Sequence, residues 1–220
     1  MTQKVYGSDL SFKTSVKTLI SYSILTRVVA LLSNFVLAYY LGLSEYGKIV
    51  IYQAVWGIVS SLGHGGFYKL LFVSKAMAYS QLRAMNIVSL TLTIISILAW
   101  NYYDASFNLV ASALFLISSV FYFRALPLFV EMERRSEFAL SSKIRLSNQI
   151  IFSFLLLITS VSGVTLIYSF CSSLFISQLI TYYHMRYKTH IGKFFNLSLD
   201  YKTKLDKGDI KDAAYNFFLV

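Results

Sequence analysis

Uncharged apolar runs alternate along the chain with short polar segments rich in lysine and arginine. Runs of about 20 residues match the ~30 Å hydrocarbon core of a bilayer at 1.5 Å rise per residue. The pattern predicts six helices, over 18–41, 49–68, 84–103, 107–127, 146–163 and 164–183. The last two lie in one uncharged run from Leu146 to Tyr183, nearly twice the length of a single crossing. A tight hairpin near Ser160–Val164 resolves this, with Gly163 breaking the helix. The expected fold class is an all-α polytopic membrane protein. After a basic linker over 184–212, the segment AAYNFFLV (213–220) is apolar again and too short to cross a bilayer. It is expected to be the start of a truncated seventh helix, with a tail lying at the interface as the alternative.

Within the first run the pattern is more detailed. On a helical wheel Tyr22, Ser23, Thr26, Arg27, Ala30, Ser33, Asn34 and Ala38 share one arc. Ile24, Val28, Val29, Leu31, Leu32, Phe35 and Val36 lie opposite. Small and hydroxyl residues on the first arc suit close helix packing, but Arg27 does not. An arginine at the centre of a membrane helix costs about 2.5–3.5 kcal/mol on insertion scales, while each Leu, Ile, Val or Phe returns only about 0.3–0.6. A charge kept at that cost is expected to face protein or a water-filled cavity. In the second run Gln53, Gly57, Ser60 and His64 recur on one face, and SLGHGGFYKLL (61–71) predicts a bent or broken helix end. Candidate cavity residues are therefore Arg27, Ser23, Asn34, Gln53, Ser60 and His64, with packing or an interfacial position as the other role for His64.

Composition agrees with the membrane reading: 56% of residues are hydrophobic and only 14% charged, against about 25% charged in soluble domains. The polar first residues and the long apolar stretch after them are not those of a cleaved signal peptide. The net charge of +10 is distributed by position. Lys4, Lys13 and Lys17, then Lys69, Lys75 and Arg83, then Arg134, Arg135, Lys143 and Arg145 fall on one side of the six-helix scheme. Arg186, Lys188, Lys193, Lys202, Lys204, Lys207 and Lys211 join them, and Lys48 alone falls in the loops of the other side. The positive-inside rule then puts the N-terminus and the even-numbered loops in the cytoplasm. Basic residues placed between apolar runs form no groove for nucleic acid, which is excluded as a partner. Arg124, near the end of the fourth run, is expected to snorkel to the headgroups. Pro127 is expected near that helix's end, and EMERRSEF (131–138) as a solvated extension or turn.

Recognisable reaction chemistry is absent. No phosphate-binding glycine loop, HExxH, nucleophile elbow or paired intramembrane carboxylate occurs. His64, His184 and His190 are scattered, so no metal site is expected, and the single Cys171 forms no internal disulfide. Asn196-Leu197-Ser198 matches a glycosylation acceptor but falls on the cytoplasmic side. No cofactor is expected.

The run TRVVALLSNFVLAYYLGLSEYGK (26–48), the glycine-rich end of the second helix and the basic loop after it resemble the start of bacterial polysaccharide flippases. These are the Wzx-type O-antigen translocases of the superfamily that also holds MATE exporters and lipid II flippases. The resemblance rests on an arginine in the first helix, then Leu41-Gly42 and Tyr46-Gly47, and implies the first of two six-helix lobes. It implies that Arg27 attracts the pyrophosphate of an undecaprenyl-linked oligosaccharide in the bacterial inner membrane. The partners it implies are that substrate, membrane lipids and other polysaccharide assembly proteins. Ser33 and Asn34 stand where lipid II flippases carry a second basic residue and an acidic neighbour, which favours the O-antigen branch. Two alternatives stay open. A cation-coupled multidrug exporter of the same superfamily needs acidic residues within the membrane. An enzyme acting on lipid-linked sugars needs Asp9, Glu131, Glu133 or the histidines to converge at one membrane face.

Overall fold

A computed structural model of the chain describes residues 9–64, 77–103, 109–135, 137–189 and 199–200. Five helices account for nearly all of them: α1 (Asp9–His64), α2 (Tyr79–Tyr103), α3 (Leu109–Arg134), α4 (Phe138–Val161) and α5 (Leu166–Tyr183). All five are long and apolar enough to cross a membrane, and together they make an all-α, multi-pass membrane protein. The described residues also include a π-helical turn over His184–Lys188 and a two-residue parallel bridge that pairs Met77 with Leu199 and Ala78 with Asp200. The segment 213–220, expected to begin a seventh helix, lies outside the described residues, as does most of the linker 184–212.

The long helix α1 is divided by one residue. Gly42 has φ 74° and ψ 168°, a backbone state that a side chain opposes and glycine adopts freely. The two arms fold back on each other. Gln53 Nε2 donates to Asn34 Oδ1 over 3.4 Å, although a straight helix would hold these residues roughly 28 Å apart. A second glycine, Gly163 at φ 79°, ends α4. Val164 N donates to Thr159 O over 3.3 Å, the six-to-one bond of a Schellman motif, and the uncharged run 146–183 is divided there.

The core sits behind the second arm of α1. Tyr52 packs on Trp100 and Phe170 at 4.8 and 5.8 Å between ring centroids. Trp56 meets Phe115 and Tyr122 edge-on at 5.7 and 5.3 Å. Rings from α1, α2, α3 and α5 thus interlock, and offset or edge-on pairs suit their quadrupoles. Where helices must approach closely, side chains are small. Ser118, Ser119, Ser169, Ser173 and Ser177 are fully buried. Ser89 Oγ lies 2.6 Å from Met85 O and 2.9 Å from Gly63 O, which ties α2 to α1. Gly63 lies directly against the Phe123 ring, in space that any Cβ would fill.

Two local expectations change. Pro127 lies inside α3, which runs on to Arg134. The EMERRSEF segment does extend the helix to Arg134 and turn at Arg135, but its start is not solvated: Glu131 is only 6% exposed and Met132 fully buried. The reason is packing, since Ala125, Leu128, Phe129 and Met132 form a second apolar cluster with Ile144 and Met185. Glu131 is neutralised there by Arg135 Nε at 2.8 Å and Arg134 Nη1 at 3.5 Å.

Candidate functional site

The polar arc of the first arm faces protein and its apolar arc faces outward. Phe35 is 65% exposed and Leu31 57%, whereas Thr26, Ala30, Ser33, Asn34 and Ala38 are half-buried and Leu37 is buried. This inverted arrangement follows from the solvent: apolar side chains lose nothing by facing lipid, so the polar residues turn inward. Thr26 and Ser33 donate to the carbonyls of Tyr22 and Val29, one turn back, at 2.8 and 2.7 Å.

Between this arc and the neighbouring helices lie three spaces that share lining residues and together form a chamber. The mouth, about 700 Å³, is lined by Leu19, Ile20, Tyr22, Ser23, Ile24, Thr26 and Arg27 of α1, by Glu133 near the end of α3, and by Phe138, Ser142 and Arg145 in the first turns of α4. A deeper compartment of about 250 Å³ is lined by Asn34, Gln53, Trp56, Asn148, Gln149, Ser153, Phe170 and Gln178, among others. A third space of about 470 Å³ shares Thr26 and Arg145 with the mouth and Asn148, Gln149 and Gln178 with the deep compartment.

The mouth holds the charges. Arg145 Nη2 donates to Glu133 Oε1 over 2.8 Å, and Ser141 Oγ donates to the same oxygen over 3.2 Å. The Arg145 guanidinium also sits 4.9 Å from the centre of the Phe129 ring, a cation–π contact. Arg27 is exposed in the mouth and has neither an ion pair nor a hydrogen bond among the described residues. With two guanidiniums and one carboxylate, the mouth is net positive. The helices also set the depth of Arg27. It shares the mouth with Phe138, the first residue of α4, and so lies near one end of the bundle instead of at its middle.

The deep compartment holds amides. Asn148 Nδ2 donates to Thr181 Oγ1 over 2.6 Å, and Gln149 Nε2 to Ser153 Oγ over 3.1 Å. Asn34 and Gln53 bond each other weakly at 3.4 Å. Asn148 Nδ2 also reaches Ser177 O at 3.4 Å and Gln178 Oε1 at 3.5 Å, so the amides of α4 and α5 are tied together along the wall of the compartment. Trp56, Phe152 and Phe170 supply its apolar walls.

Of the residues singled out in the sequence, Ser23 and Arg27 line the mouth, and Asn34 and Gln53 line the deep compartment. Ser60 lines neither and donates to Gly57 O over 3.1 Å. His64 ends α1, and its side chain lies outside the described residues. The pattern had left out Arg145, Glu133, Asn148, Gln149 and Gln178. A wheel drawn for α4 finds three of them: Arg145, Asn148, Gln149, Phe152, Ser153 and Leu156 fall on one face. Among the described residues no cluster of His, Cys, Asp and Glu could hold a metal ion. Comparison with family models, with curated proteins and with solved structures finds no match.

Proposed function

We propose that this chain forms one six-helix lobe of a flippase for lipid-linked oligosaccharides in the bacterial inner membrane. In this reading the two arms of α1 cross the membrane separately and the N-terminus is cytoplasmic. The cargo is an undecaprenyl-pyrophosphate-linked sugar repeat destined for O-antigen or capsular polysaccharide. The observation that carries the reading is Arg27, a guanidinium without a protein partner among the described residues, in a net-positive mouth on the same arc of α1 as an amide-lined compartment. A guanidinium grips phosphate oxygens through two parallel charge-assisted hydrogen bonds. Arg145 supplies a second guanidinium, held by Glu133 until an anion competes for it. Asn34, Gln53, Asn148, Gln149 and Gln178 offer donors and acceptors suited to sugar hydroxyls. Transport follows by alternating access, in which two lobes rock about a shared site.

The exporter reading fares less well on the same residues. Glu133 is the carboxylate that lines the mouth, and its bond to Arg145 already neutralises it. The test is complementation of an O-antigen or capsule export defect by the native gene product. Arg27→Ala is expected to lower surface polysaccharide about ten- to a hundredfold at equal membrane abundance. That loss matches the roughly 1.5–3 kcal/mol of a hydrogen bond to a charged group. Arg27→Lys is expected to lose less. Full export by Arg27→Ala removes the substrate-binding role.

A further inference from the structure

A second basic pocket lies on a different flank of the bundle. About 210 Å³ in volume, it is lined by Leu82 and Asn86 of α2, by Phe123, Arg124, Pro127 and Leu128 of α3, and by Tyr182 and Arg186 at the end of α5 and in the π-helical turn. It shares no lining residue with the chamber. Two guanidiniums, an amide and a phenol converge on it, and no carboxylate lines it. Arg124 is exposed and makes no ion pair or hydrogen bond among the described residues.

We propose that this pocket binds the phosphodiester headgroup of an anionic phospholipid, with Arg124 and Arg186 gripping the phosphate. Three observations select a lipid over a phosphate free in solution. First, Arg124 lies ten residues before the end of α3, roughly 15 Å along the helix axis. It shares the pocket with Tyr182 and Arg186, at the end of the apolar helix α5, and the end of a membrane crossing is the level of a headgroup phosphate. Second, the flank around it carries apolar surface, with Ile87, Leu90, Ile180, Tyr183 and Tyr187 all exposed. Acyl chains fit that surface. Third, the helix departs from regular geometry where the second arginine is needed. The π-helical turn His184–Lys188 carries Arg186, and such turns are frequent at functional sites. Basic pockets between membrane helices are a known way of holding anionic headgroups. Asn86 and Tyr182 can bond the headgroup's hydroxyls. The inference does not depend on the flippase reading, since the two sites use different residues.

The test uses the full chain purified in neutral detergent and exposed to mixed micelles holding equal amounts of phosphatidylglycerol and phosphatidylcholine. Retained lipid is read by native mass spectrometry. The wild-type protein is expected to retain phosphatidylglycerol over phosphatidylcholine by at least tenfold. The double variant Arg124→Gln/Arg186→Gln is expected to lose that preference, and Arg27→Gln to keep it. Inorganic phosphate at millimolar concentration is expected not to displace the lipid. Equal retention of the two lipids by the wild type overturns the proposal, and so does a preference unchanged in the double variant. Loss of the preference in Arg27→Gln alone places the lipid in the chamber and also overturns it. Displacement by inorganic phosphate means that the pocket takes the free ion. Should the double variant fail to accumulate, Arg124→Lys/Arg186→Lys keeps both charges. It is expected to retain phosphatidylglycerol at a reduced ratio, and an unreduced ratio overturns the guanidinium assignment.

Discussion

The two arms of α1 are joined through a single residue and turn opposite chemistries toward the protein. Before Gly42, the inward face is Ser23, Thr26, Arg27, Ser33 and Asn34, with Leu37 joining the core, while Leu31, Leu32 and Phe35 point away. After it, the inward face is Ile49, Tyr52, Trp56 and Val59, interlocked with rings from α2, α3 and α5. The second arm is a core element in the ordinary sense of dense packing. The first arm is the wall of a chamber, and most of its large apolar residues are exposed. Hydrophobicity alone therefore says little about which helix anchors the bundle. What separates the arms is whether side chains interdigitate with neighbours or border open space.

The sharpest way to break this contrast is at Gly63, in the second arm. Gly63→Leu must displace the Phe123 ring, and the protein is expected to fail to accumulate in membranes, as read by immunoblot. Next in size is Trp100→Ala, which removes the ring that Tyr52 and Phe115 pack against. Lipid is as apolar as the core, so the transfer part of the usual cost is missing and the lost packing remains. A destabilisation on the order of 2 kcal/mol is expected, measurable as a lowered melting temperature in detergent. The smallest effect belongs to the first arm: Leu31→Ala faces away from the bundle, and a change within about 0.5 kcal/mol is expected. A large loss at Leu31 would show that another protein surface covers that arc.

Much of this architecture was legible because lipid imposes simple rules. Uncharged runs located the helices, and Gly42 and Gly163 stand where they are interrupted or end. The inward turn of the first arm followed from segregation on one wheel. The charged run EMERRSEF was not legible. Glu131 is neutralised by pairings that local reading treats as surface features, with Arg134 and Arg135. For Glu133 the partner is Arg145 on the next helix, and no spacing rule links those two positions. The amides of α4 and α5 were missed for another reason. Asn148, Gln149 and Gln178 sit in an uncharged run whose mean character is apolar, and only their convergence in space marks them.

Gly42 also bears on how the protein is made. A reversal that spends one non-helical residue leaves no slack, so the two arms are best delivered to the lipid together, as a paired unit emerging from the translocation machinery. The same brevity leaves no strand of chain between the arms for a protease to cut or an inserted epitope to occupy.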